Sequence, residues 1–177
     1  IPGLSGNGEG FVGQKFKNFA DEENFIIIAP SFKWDHENWE SKQSYQYPSV
    51  WSGTALLEII NKFKGIKNIS ISKFYFFGFS AGAQFALRFC LWCPDLCVAC
   101  ASHSGGGTVI PDYYIDVKFF ITIGIGDKSR IRIARTFYKK AMEQGIDVVY
   151  KEYNGGHYLT QTKIDESIEF FKGIKHE

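Results

Sequence analysis

Ser80, Asp127 and His157 are the residues whose types and surroundings could carry covalent chemistry. Ser80 stands inside Gly78-Phe79-Ser80-Ala81-Gly82, after the apolar run "FYFF" and before the small residues that open a helical pattern. A serine hydroxyl becomes a nucleophile when a neighbouring base takes its proton. Glycines two residues to either side permit a sharp strand-to-helix turn that holds the hydroxyl out of a sheet, where larger side chains would clash. The turn also brings the serine to a helix N-terminus, where free N–H groups favour developing negative charge. The competing reading is an ordinary helix-start serine in a βα connection. Asp127 ends "GIGD" and could equally cap a following helix. His157 lies in "YNGGHY", a setting that does not suit a core histidine.

The elements that must position these residues follow from apolar periodicity. Short continuous apolar runs at 24–32, 73–80, 97–104, 118–126 and 147–153 predict strands. Apolar residues at helical spacing predict helices over 10–22, 49–64, 81–92, 129–144 and 160–174, with Gly145 as a stop. Strands alternating with helices point to one α/β domain, a mostly parallel sheet with helices on both faces. In such sheets functional residues gather beyond the carboxyl ends of strands. Ser80 ends the second predicted strand, Asp127 the fourth, and His157 follows the fifth, giving the order Ser, Asp, His.

The segments "PGLSGNGEGF", "NFIIIAPSF", "FGFSAGAQFALRF", "ITIGIGD" and "YNGGHY" together resemble the α/β-hydrolases, in particular compact carboxylesterases of the polyhydroxybutyrate-depolymerase-like and dienelactone-hydrolase-like groups. The resemblance spans nearly the whole chain. It implies a triad in which Asp127 orients His157 and His157 takes the proton of Ser80, with backbone N–H groups of Ala81 and Leu4 as the oxyanion hole. It implies cleavage of a small or surface-displayed carboxylic ester through an acyl-enzyme, with no cofactor and no metal. A peptidase or thioesterase would use the same triad, and an inactive relative would use the fold for binding.

Three departures accompany the resemblance. Pro2 stands where the family commonly has histidine. The strand that the family places between its fourth and fifth strands has no counterpart, and the chain opens on Ile1. The expectation is that residues precede Ile1 and supply that strand, the alternative being a sheet re-paired across the gap. Residues 105–117 are too short for the helix and lid of many relatives, so an open cleft is expected.

Other candidates carry weaker signals. His103 in "SHSGGG" also sits at a strand end and is the rival base or a pocket residue; His36 and His176 read as surface residues. Asp112 and Asp116 precede the fourth strand and so lie at its wrong end. Trp34, Trp39, Tyr45, Tyr47 and Trp51 fall in a polar stretch that could form an aromatic platform for a sugar or phenol, with Trp34 and Trp39 in the pocket, or a self-packed loop. "KSRIRIAR" after Asp127 reads as a solvated basic face rather than an anion site. Cys90, Cys93, Cys97 and Cys100 have metal-like spacing, but they divide between a helical pattern and a strand, which favours small buried hydrophobes over a disulfide or metal.

Composition sets the outer limits. The chain has 177 residues, 45% hydrophobic and 22% charged, with a net charge of +1. That balance argues against a nucleic-acid partner, which needs a concentrated basic face. No apolar stretch approaches the roughly 20 residues of a membrane helix. Nothing at the start reads as a signal peptide; the compartment stays open, with a cytoplasmic setting slightly favoured over a secreted one.

Overall fold

Among the described residues, four parallel strands form the sheet in the order β1-β2-β3-β4. They run over Phe74–Phe79, Cys97–His103, Lys118–Gly124 and Val148–Tyr153. The structure is a computed structural model that describes residues 1–33, 44–106 and 113–174. β2 and β3 are buried along almost their whole length, which is why they read as unbroken apolar runs. β4 lies at one edge of the described sheet and mixes half-buried with exposed residues, none of them fully buried.

Among the described residues, five α-helices cover the two faces: α1 Gln14–Glu22, α2 Gly53–Lys67, α3 Ala81–Trp92, α4 Lys128–Glu143 and α5 Gln161–Lys172. The strand period of two sends Phe119, Ile121 and Ile123 to one face and Phe120 to the other. On the first face they pack against Leu56 and Ile60 of α2, Phe85 and Phe89 of α3, and Phe137 of α4. On the second, Phe120 joins Ala99 and Ala101 of β2 beneath Phe19 of α1 and Ile168 and Phe171 of α5. The predicted helices are therefore present, with boundary shifts where backbone chemistry intervenes. Residues 48–52 form a wide turn led by Pro48 before α2 begins, and α2 ends on Asn68 at φ 50°. Among the described residues no helix is long and apolar enough to cross a membrane.

The run 24–32 departs from expectation. Residues 25–33 have no regular secondary structure, and among the described residues β1 is paired in the sheet with β2 alone. A strand exists only by hydrogen-bonding a neighbour, so apolar β-branched composition without a partner leaves an irregular segment. The run does not close onto β1. Between residues 24–29 and β1 lies a groove of about 410 Å³, lined by Phe16, Ile26, Ile28, Phe74 and Phe76 among others. The Ile1 nitrogen donates to the Phe77 carbonyl at 2.5 Å at the end of that groove. The four cysteines are unbridged; Cys90, Cys97 and Cys100 are buried and Cys93 is half-buried.

Candidate active site

Ser80 occupies a strained turn. It links β1 to α3 with φ 56° and ψ −119°, a conformation that L-residues rarely adopt. Such a residue costs about 1–3 kcal/mol and persists only where its surroundings hold it. The Ser80 N–H donates to the His103 carbonyl at 2.9 Å, so β2 supplies that restraint. Both flanking glycines are sterically required. A Cβ on Gly78 would lie 2.4 Å from the Gly82 carbonyl oxygen, and one on Gly82 would lie 2.2 Å from the carbonyl oxygens of Ile1 and Pro2.

Asp127 and His157 reach Ser80 from β3 and β4. The loop after β4 folds back over the end of β3, where the Gly126 N–H donates to Gly155 O at 2.7 Å and the Ile125 N–H to Tyr153 O at 2.9 Å. This close approach needs Gly124, whose Cβ would stand 2.3 Å from the Gly156 carbonyl oxygen. Gly155, at φ 125°, makes the bend that only glycine makes readily. His157 Nδ1 then donates to Asp127 Oδ2 at 2.7 Å, and its Nε2 lies 2.9 Å from Ser80 Oγ. The carboxylate can only accept, so the neutral imidazole carries its proton on Nδ1 and leaves Nε2 open to the serine hydroxyl. The Phe79 ring packs on the imidazole with centroids 5.1 Å apart.

Asp127 makes no side-chain cap to α4. Its other oxygen accepts from Arg130 Nη1 at 3.2 Å and Ser129 Oγ at 3.3 Å. Burial pushes the carboxyl pKa up, but the hydrogen bonds from His157 and Arg130 outweigh it and hold the group below its ordinary value. The basic stretch after Asp127 is thus not wholly a solvated face. Arg130 turns inward to the acid, while Arg135 pairs on the surface with Glu152.

The segment Pro2-Gly3-Leu4 passes beside the serine. A Cβ on Gly3 would fall 3.6 Å from Ser80 Cβ and 3.4 Å from the Phe79 ring. Leu4 is exposed, and Ala81 is buried as the first residue of α3, with one of the N–H groups a helix start leaves unsatisfied. The buried Tyr45 phenol donates to Gly3 O at 2.6 Å and lies 3.1 Å from Pro2 O. Gly6 N donates to Gly3 O at 2.9 Å, and Phe32 N donates to Gly6 O at 2.9 Å, so the segment is held from both sides.

Other predicted site residues are placed elsewhere. His103 is 0% exposed, with Nδ1 2.6 Å from Thr122 Oγ1 and Nε2 2.8 Å from Ser167 Oγ. It presents no surface to a substrate and no free nitrogen to Ser80. Its side chain points to the α5 face of the sheet because strand residues alternate, and only its carbonyl serves the turn. Trp34, Trp39, His36, His176 and Asp112 lie outside the described residues. Tyr45, Tyr47 and Trp51 do not form a platform. Tyr45 stacks on Phe32 at 4.7 Å, Trp51 packs edge-on against Phe32, and Tyr47 lies under the Arg88 guanidinium at 4.1 Å. Sequence reasoning missed Tyr45 and Arg130 as partners of the site's segments; only an inward-facing polar tip at a buried position would have marked them. The 410 Å³ groove beside β1 includes none of Ser80, Asp127 and His157.

Solved structures share this architecture. Esterase PE8 superposes with a TM-score of 0.73 at 19% identity, covering 98% of this chain and 90% of its own. A carboxylesterase from Mesorhizobium loti gives 0.76 at 14% identity, covering 98% and 87%. The Bacillus cereus carboxylesterase gives 0.67 at 15% identity, covering 97% and 85%. No family model matches the sequence. No curated protein matches it either. At these identities the likeness is one of fold, and the fold is that of the α/β-hydrolases.

Proposed function

We propose that this α/β-hydrolase chain is a serine hydrolase that cleaves carboxylic esters through an acyl-enzyme. The observation that carries the reading is the unbroken hydrogen-bonded line from Ser80 Oγ through His157 to Asp127, with contacts of 2.9 and 2.7 Å. Ser80 Oγ attacks the ester carbonyl carbon as its proton passes to His157 Nε2. Asp127, held as a carboxylate, stabilises the imidazolium that forms. The carbonyl oxygen becomes an oxyanion facing the N–H groups of Ala81 and Leu4; a donor of this kind typically contributes about 10²–10³-fold. Collapse breaks the ester C–O bond, and His157 returns the proton to the departing alcohol. A water then attacks the acyl-serine by the same steps and restores Ser80. The Ser80–His157 pair is reached from solvent, which suits an open cleft and small or surface-displayed esters.

The test combines turnover of p-nitrophenyl esters with fluorophosphonate labelling, the adduct being mapped by mass spectrometry. A single adduct on Ser80, and loss of both labelling and turnover in a folded Ser80→Ala variant, is the expected result. Full turnover by Ser80→Ala overturns the proposal.

A further inference from the structure

Lys163 is in an electrostatically poor place. It is 1% exposed, although lysine almost always keeps its ammonium in water. It also sits in the first turn of α5, where the helix dipole disfavours a cation. Something must compensate, and the Tyr158 carbonyl, the Tyr153 and Tyr158 rings and Asp127, all in the surroundings of His157, do so. Nζ donates to the Tyr158 carbonyl at 2.9 Å, one residue after the histidine. It lies 5.5 Å from the Tyr153 ring centre and 5.9 Å from that of Tyr158, at the two ends of the loop. Burial lowers the pKa of its ammonium, and the negative charge of Asp127 opposes that shift.

The two sides of the histidine loop are held differently. Its incoming side is held by β3 through the Gly126–Gly155 hydrogen bond. Its outgoing side leads to Thr160, which caps α5; from that helix Lys163 reaches back to the Tyr158 carbonyl on the outgoing side, while Glu166 accepts from the Tyr153 phenol at the incoming end. α5 is itself tied to the turn that carries Ser80. Ser167 Oγ donates to Lys163 O at 2.7 Å and so receives the Nε2 proton of His103. The His103 carbonyl accepts the Ser80 N–H. A buried polar line therefore runs from the serine turn through His103 and Ser167 to Lys163 and the loop of His157.

We propose that Lys163 is a positioning residue that fixes the His157 loop and thereby the Ser80–His157 contact. Its effect on turnover rests on the serine-hydrolase reading; its effect on the loop does not. The substitution Lys163→Met keeps the length and packing and removes both donor and charge, while Lys163→Gln keeps a donor. The full chain is compared by kcat and KM on p-nitrophenyl butyrate, by the rate of fluorophosphonate labelling, and by the low-field proton resonance of His157 Nδ1–H. In Lys163→Met, kcat and the labelling rate should fall roughly 10–100-fold with KM within about twofold, as a misplaced base predicts. The low-field resonance should broaden or vanish while thermal unfolding stays cooperative. Lys163→Gln should recover part of the loss, and it supplies the comparison if Lys163→Met does not fold. Unchanged kcat, labelling and resonance in folded Lys163→Met, or in Lys163→Gln where Lys163→Met does not fold, overturn the proposal. Absence of labelling and turnover in the wild type would overturn the hydrolase reading instead, and the resonance would still decide the role of Lys163.

Discussion

The phenol of Tyr45 donates to the carbonyl of Gly3 at 2.6 Å. That carbonyl and the Leu4 N–H belong to one peptide plane and point in opposite directions, so a grip on the oxygen sets the direction of the donor. The expected oxyanion donor is thus oriented from behind by a residue that never meets substrate. Tyr45→Phe keeps the stack on Phe32 and removes only the hydroxyl. It should lower stability by about 1–2 kcal/mol, a buried hydrogen bond's share, and lower kcat several-fold with little change in KM. Urea unfolding and ester kinetics on one preparation check both.

Ser80 stands at φ 56° and ψ −119°, where any residue with a Cβ is strained. Ser80→Ala and Ser80→Gly should both be inactive, yet they should differ in stability. Glycine relieves the strain at some cost in chain entropy, leaving the Gly variant the more stable by about 1 kcal/mol. Equal unfolding midpoints would mean that the turn stores no strain.

Gly124→Ala places a methyl 2.3 Å from the Gly156 carbonyl oxygen, beneath the loop of His157. β3 lies inside the packed sheet, so the loop yields. Turnover and labelling of Ser80 should fall by about 100-fold, while stability falls by only about 1–3 kcal/mol as in other overpacked sites. Labelling kinetics set beside thermal unfolding test the separation.

His103 should give the stability an acid-side slope. Burial above all, and then the charge of Lys163, pull its pKa from 6.5 to about 3. Between those values the unfolded chain binds a proton and the folded chain does not. Stability therefore falls as pH falls through that window, by up to about 1.4 kcal/mol per pH unit, and gains nothing further above it. Asp127, held below its ordinary value, pushes in the same direction at lower pH. His103→Gln should be less stable at neutral pH, because Thr122 and Ser167 lose their partner. Its stability should also depend less steeply on pH between about 6 and 4. Urea midpoints across that range decide it; an unchanged slope would mean that His103 is not buried neutral.

Much of the frame was legible in the sequence because it rests on local rules. The apolar runs of β2 and β3 are continuous because both faces are covered, and α4 stops where Gly145 takes φ 71°. The run 24–32 was misleading for the same reason that makes strands hard to read. Composition reports a preference for extended backbone, but a strand is a relation to a partner. The supports of the site were hidden too. Tyr45 looked like one of several loop aromatics and Arg130 like part of a solvated face, and nothing in the sequence set Lys163 apart. Their inward direction depends on which elements stack above them.

By itself the sequence determined the alternation of strands and helices, the glycine-framed turn at Ser80, and the order in which a serine, an acid and a histidine reach strand ends. These follow from backbone sterics and periodicity, which act over a few residues. The tertiary structure alone decided that 77 residues of separation close to 2.9 Å between Ser80 and His157. It also decided that His103 turns away from the cleft and that a lysine is buried behind the histidine loop. Those outcomes depend on strand order, on the direction in which each side chain alternates, and on which polar groups can be satisfied once water is excluded.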